Sequence, residues 1–191
     1  MRIVLLLGFL LLNGCSFKEA PVMKVYTLVT PAVSAVPSAQ YRNKILKVSY
    51  PVALNEKLAD EMHYSYSLTD RGSYLNSRWS NDAGRLLQGN IIQTLSHAKL
   101  FKVVVPYMSD VKENLRLEAT VFDFSHHVRG EASYAVVSIQ FTLMNAETGK
   151  LIKAKRFSYR EPTPTIDARG YVEATNRIMA KLSKDLIHWL R

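Results

Sequence analysis

Chemistry in this chain could start at its five histidines, its one cysteine and a few close-set Ser/Lys and Asp/Glu pairs. Ser96 and Lys99 have the S-x-x-K spacing of penicillin-binding enzymes, in which the lysine sits beside the nucleophilic hydroxyl. The companion S-D-N and K-T-G motifs are missing. Thr148-Gly149-Lys150 has the composition of a turn, so Ser96 to Lys99 reads as the end of a helix. His126 and His127 follow Asp123 closely, but neighbours on a strand point to opposite faces and do not share one metal. They read as an exposed loop pair. Asp60 and Glu61 are split in the same way, and His63, His97 and His188 stand alone. No G-x-S-x-G, H-E-x-x-H, phosphate loop or dinucleotide fingerprint occurs. The sequence therefore predicts no catalytic residue, no metal site and no cofactor, and it speaks against an enzyme.

Cys15 is different. Met1-Arg2 supplies a positive start, and Ile3 to Leu12 is an almost unbroken apolar run. That run fits the hydrophobic region of an export signal and falls short of the roughly 20 residues that span a bilayer. Leu12-Asn13-Gly14-Cys15 resembles a bacterial lipobox, in which the cysteine receives lipid and the preceding segment is removed. The expected organisation is a signal peptide over residues 1–14, a lipidated tether over 15–22 and a single domain over 23–191. The competing interpretation is an inert thiol in a buried N-terminal strand. With one cysteine, no intrachain disulfide forms. Several acyl chains on Cys15, of the palmitate kind, would anchor the protein stably, since each buried methylene contributes about 0.8 kcal/mol. Ser16, where an aspartate would favour inner-membrane retention, points to the outer membrane, facing the periplasm.

An exported location gives the formal net charge of +9 its meaning. Nucleic acid drops out, leaving anionic head groups, an acidic protein partner or a basic surface that serves solubility. The charged fraction of 21% and hydrophobic fraction of 48% are those of a chain with a real core.

The domain's elements follow from hydrophobic period. Strands are expected over residues 23–30, 44–52 and 61–69, with Pro51 at a strand end, a turn at Asp70-Arg71-Gly72 and short extended chain beyond. From Trp79 the period changes: Trp79, Ala83, Leu87, Ile91 and Leu95 recur every four residues. They predict a helix over 80–98 capped by Ser80. Strands follow at 101–105, 115–124, 132–146 and 151–160, the last two joined by a turn at Glu147 to Lys150. Ala135, Val137, Ile139, Phe141 and Leu143 mark the apolar face of the 132–146 strand. A second helix over 171–190 has Val172, Thr175, Met179, Leu182, Leu186 and Trp189 on one side and Arg177, Lys181, Lys184 and His188 on the other. The fold class is α+β, a mainly antiparallel sheet with two amphipathic helices packed on one face.

Trp79, preceded by Arg78, has two interpretations: an aromatic anchor at a partner surface, or a core anchor that pins the helix start to the sheet. Ile92 lies off the apolar stripe of its helix, as a residue at a protein contact would.

In order, the lipobox, "VYTL" at 25–28, "YPVALNEKLADE", "SRWSNDAGRLLQGNIIQTL", "LRLEATVFDFSH", the "VVSIQFTLMNAETGKLI" hairpin and the terminal helix resemble the ABC-type transport auxiliary lipoproteins, the family that includes paraquat-inducible protein C. The resemblance covers the mature chain. It departs from the usual pattern at Tyr50-Pro51-Val52-Ala53-Leu54, where a proline commonly precedes a tyrosine. It implies an accessory subunit of a lipid-transport system, held in the outer membrane by Cys15 and docked onto subunits of the mammalian-cell-entry class. Tyr26, Thr27, Leu28, Arg78 and Trp79 match the family's short motifs, and Tyr26, Arg78, Trp79 and Ile92 are the candidate partner-binding residues. The implied partners are those transporter subunits, membrane lipid through Cys15, and further copies of the chain. A direct lipid-binding module and a structural envelope-assembly lipoprotein are the alternatives.

Overall fold

In a computed structural model of the chain, residues 21–36, 38–54 and 58–191 are described. The signal peptide, Cys15 and most of the tether lie outside them. The sheet is organised around its longest strand, β7 (Leu115–Arg129). One edge of β7 pairs antiparallel with β8 (Ala132–Asn145), and β8 pairs antiparallel with β9 (Leu151–Pro162). The opposite edge takes three short parallel strands end to end: β2 (Ile45–Val48), β3 (Val52–Ala53) and β4 (Glu61–Ser65). Outside β2 lies β6 (Val103–Pro106), parallel to it. Outside β4 lies β5 (Arg71–Trp79), antiparallel, and β1 (Lys24–Tyr26) runs parallel to β5 at the edge. The long ladders are antiparallel and the parallel ones are short, giving a mixed nine-stranded sheet.

Two helices cover one face: α1 (Ala83–Ala98) against β2 and β6, and α2 (Ala168–Leu190) against β8 and β9. They meet at a buried hydrogen bond between the hydroxyls of Thr94 and Ser183, 3.0 Å apart. The predicted stripes are the ones buried. Leu87, Ile91 and Leu95 of α1, Ala135, Ile139, Phe141 and Leu143 of β8, and Met179, Leu182 and Leu186 of α2 fill the layer between helices and sheet. Glu113, just before β7, pairs with Lys47 of β2 at 2.9 Å and Arg116 at 2.7 Å. These two cations hold its carboxyl down to about 2, well below the usual range.

Several boundaries differ from the sequence expectations. The 23–30 strand is only Lys24–Tyr26, and Pro51 lies between β2 and β3. The stretch beyond Asp70 is a nine-residue strand, β5, whose polar composition conceals it. β7 continues to Arg129, so His126 and His127 are strand residues, not a loop pair. The cap of α1 is Asp82, not Ser80: its Oδ1 accepts from the Gly84 and Arg85 amides at 2.8 and 3.2 Å. A carboxylate at this position meets two orphan amides and the positive end of the helix. Asp167 caps α2 in the same way, accepting from the Gly170 amide at 2.8 Å, and the helix begins at Ala168. A Cβ at Gly170 would collide with the Thr165 carbonyl oxygen.

Lys99 ends α1 in the left-handed region, φ 56°, with its amide donating to the Ser96 carbonyl. This is the helix terminus expected for the S-x-x-K stretch. A side chain costs about 1 kcal/mol in that conformation and glycine avoids the cost. Lys99→Gly is expected to stabilise the protein by about 0.5–1 kcal/mol, read as a higher denaturation midpoint at unchanged m-value.

Candidate docking surface

The sequence candidates divide by burial. Trp79 ends β5 with 2% of its surface exposed. Its ring packs 5.7 Å from both Phe124 and Tyr171. Its amide donates to the Asp60 carbonyl at 2.8 Å, and the following amide, Ser80, donates to the Tyr26 carbonyl at 2.6 Å. Of the two interpretations of Trp79, this is the placement of a core anchor, and its ring offers no free surface to a partner. Arg78, one residue earlier, points the other way. Its side chain is half exposed and lies 3.7 Å from the Asp60 carboxylate. Tyr26 stands opposite Trp79 in the ladder and is half-buried. The fold thus brings Tyr26, Arg78 and Trp79 to one joint where β1, β4, β5 and the start of α1 meet. Ile92 is elsewhere, half-buried on α1 and packed against the core. Cys15 lies outside the described residues.

The sheet face opposite the helices is polar. Ser138 of β8 and Ser158 of β9 share a hydrogen bond of 2.9 Å, and Arg156 donates to Ser138 at 3.0 Å. The Arg156 guanidinium lies over the Phe122 ring at 3.8 Å and that of Arg160 over the Tyr134 ring at 3.7 Å. Such stacking holds a cation in place while leaving its edge free to bond. Beside them Asp123 accepts from Ser125 at 2.6 Å and meets His127 Nε2 at 3.0 Å. The bulge between Val121 and Asp123 turns Phe122 and Asp123 onto this face. Ser138, Gln140 and Thr142 alternate with the apolar residues of β8 and lie on this face. The stacked arginines were missed, because the pairing of β8 with β9 sets Arg160 beside Tyr134, and Arg156 reaches Phe122 only across β8, through the further pairing of β7 with β8.

His126, on the opposite side of β7 from His127, is fully buried. Its Nδ1 is 2.6 Å from the Tyr74 hydroxyl, its ring lies parallel to Tyr171 at 5.4 Å, and its Nε2 meets no hydrogen-bonding group among the described residues. Burial pushes its pKa down to about 4, with Asp167 opposing and His127 assisting the shift. The imidazole is neutral at physiological pH and acts as a packing group. Among the described residues no group of His, Cys, Asp and Glu is placed to hold a metal, and no helix is long and apolar enough to cross a membrane.

Residues 26–186 match the family of the ABC-type transport auxiliary lipoprotein component. The chain belongs to this family. Membership makes it an auxiliary lipoprotein of a bacterial ABC-type transport system, located in the cell envelope, and sets it outside the known enzyme families. The resemblance seen in the order of the sequence motifs is thus a true family relationship. Among solved structures the domain is similar to protein XCC0632 from Xanthomonas campestris, with a TM-score of 0.71 and 15% identity over 87% of this chain and 94% of that one. An uncharacterized protein of known structure is similar at a TM-score of 0.68 and 16% identity, over 89% of this chain and 99% of that one. At these identities the likeness is one of fold. No curated protein matches the chain.

Proposed function

We propose that this auxiliary lipoprotein is acylated at Cys15, anchored in the outer membrane, and docks onto a mammalian-cell-entry-type subunit of a lipid transporter, which it positions without handling lipid itself. The observation that carries the docking role is the filled layer between helices and sheet. Leu46, Met62, Leu95, Leu117, Ile139 and Phe141 occupy it with essentially no exposure, where a lipid carrier of this architecture would need an apolar cavity. The open polar face and the exposed Arg78 remain for a protein partner. Tethering raises the effective concentration at that partner, so a modest surface suffices.

The test is a crosslinked pull-down of the lipidated protein from solubilised membranes, read by mass spectrometry. A mammalian-cell-entry subunit enriched with its permease is the expected result, and Arg78→Ala should reduce that enrichment several-fold while leaving the melting curve in place. Enrichment of unrelated envelope proteins alone, or of bound lipid in the purified domain, would overturn the proposal.

A further inference from the structure

We infer that the end of the domain at which the tether enters rests against the bilayer, with Leu68 at the tip of the β4–β5 turn seated in the interfacial lipid layer. The inference depends on acylation at Cys15. Chain direction comes first. β1 and β5 are parallel, with Lys24 opposite Ser77 and Tyr26 opposite Trp79. Following β1 backwards therefore leads toward the start of β5, which is the β4–β5 turn. The parallel pairing of β4 with the last residues of β7 puts the β7–β8 turn at the same end. The hydrogen bond from the Thr163 amide to the Ser133 carbonyl adds the loop that follows β9.

The β4–β5 side of that end carries exposed apolar side chains where turns are usually polar, while the β7–β8 turn beside it holds the charged Arg129 and Glu131. Leu68 is 88% exposed at the tip, Leu75 is 87% exposed on β5, and Val22 is 83% exposed where the chain enters. Met23, Tyr66 and Ile166 are exposed beside them. Leu75 points outward because the pairing of β4 with β5 slips between Glu61 and His63, and a bulge re-aims side chains. The turn also satisfies much of its own backbone. The Tyr66 amide donates to the Asp70 carbonyl at 2.9 Å, and Ser67 Oγ accepts from the Asp70 and Thr69 amides at 3.0 and 3.3 Å. A tip whose backbone is already bonded can enter a layer poor in water without losing hydrogen bonds. Leucine inside and tyrosine at the boundary suit the two depths of the interface.

Reach selects the bilayer as the occupant. Six residues, Ser16 to Pro21, separate Cys15 from Val22. At 3.3–3.6 Å per residue the chain spans at most about 25 Å between them. Val22 lies level with about Phe124, so the stretch of β7 from Leu115 to Phe124, roughly 30 Å, and the turn beyond it separate the tether's start from the β8–β9 turn, more than the tether spans.

The mature lipidated protein, reconstituted in phosphatidylethanolamine/phosphatidylglycerol vesicles, provides the test. With Cys15 acylated, Leu68→Cys and, at the β8–β9 turn, Thr148→Cys each give a sole reactive thiol for an environment-sensitive dye. Lipids with a spin label near the head group should quench the dye at position 68 several-fold more than at 148. Equal, aqueous-like signals in vesicles that float with protein of acylated N-terminal mass would overturn the inference and leave the anchor intact. A shielded dye that lipid fails to quench, with energy transfer between labelled copies, would assign the surface to a second copy instead. An unmodified N-terminal peptide would remove the anchor, and the inference with it.

Discussion

Trp79→Ala is expected to destabilise the domain by roughly 3–5 kcal/mol, the range for removing a large buried aromatic side chain. For a domain of this size that is a fall in Tm of roughly 6–20 °C. The ring contacts Phe124 on β7 and Tyr171 on α2, so its loss opens a cavity between layers that cannot close independently. Trp79→Phe should recover part of the loss. Arg78→Ala, by contrast, removes an exposed pair with Asp60 at 3.7 Å and should change stability by less than about 1 kcal/mol. Thermal melts of the three variants check this. An Ala variant at position 79 that melts within a degree or two of the parent would show that the joint is held by backbone pairing alone.

Mild acid should weaken the fold through His126. Its folded pKa of about 4 lies below the ordinary imidazole value of 6.5, so the unfolded chain binds the proton more readily. The stabilisation is therefore complete above about pH 6.5 and is lost as pH falls toward 4, by about 3 kcal/mol. Glu113 is also lowered, to about 2, but by its bonds to Arg116 and Lys47, which favour its charged form. Its contribution is present above its unfolded value and is lost as pH falls through the folded one, below the histidine's window. Denaturant titrations at pH 7, 5.5 and 4.5 should show a steep decline that His126→Phe flattens. A wild-type curve as flat as the variant's would mean that the buried ring accepts its proton without opening the core.

What the sequence disclosed and what it withheld have separate physical causes. The alternation in β8 and the stripe of α2 were legible because each residue reports its own face relative to one core. β5 was not, since "RGSYLNSRW" is polar and its membership of the sheet comes from β4 and β1 on either side. The cap of α1 was placed at Ser80, two residues early, because Ser80 and Asp82 are both capping types and only the helix geometry selects Asp82. Trp79 supported two roles until Phe124 and Tyr171, distant along the chain, were placed against it. The burial of His126 is of the same kind: nothing in "FSHHV" signals that Tyr74 and Tyr171 will enclose one histidine and leave its neighbour facing Asp123.

The position of β7 in the sheet sets a timetable for the nascent chain. β2, β3 and β4 all need it as a partner, yet it begins at residue 115, after more than half of the polypeptide has been made. A chain emerging N-terminus first therefore carries β2 and β3 with nothing to pair along that edge, and α1 with little sheet to lie on. Native contacts of such long sequence separation form late. Until that strand arrives, the elements before it lack the partner that joins them into one sheet.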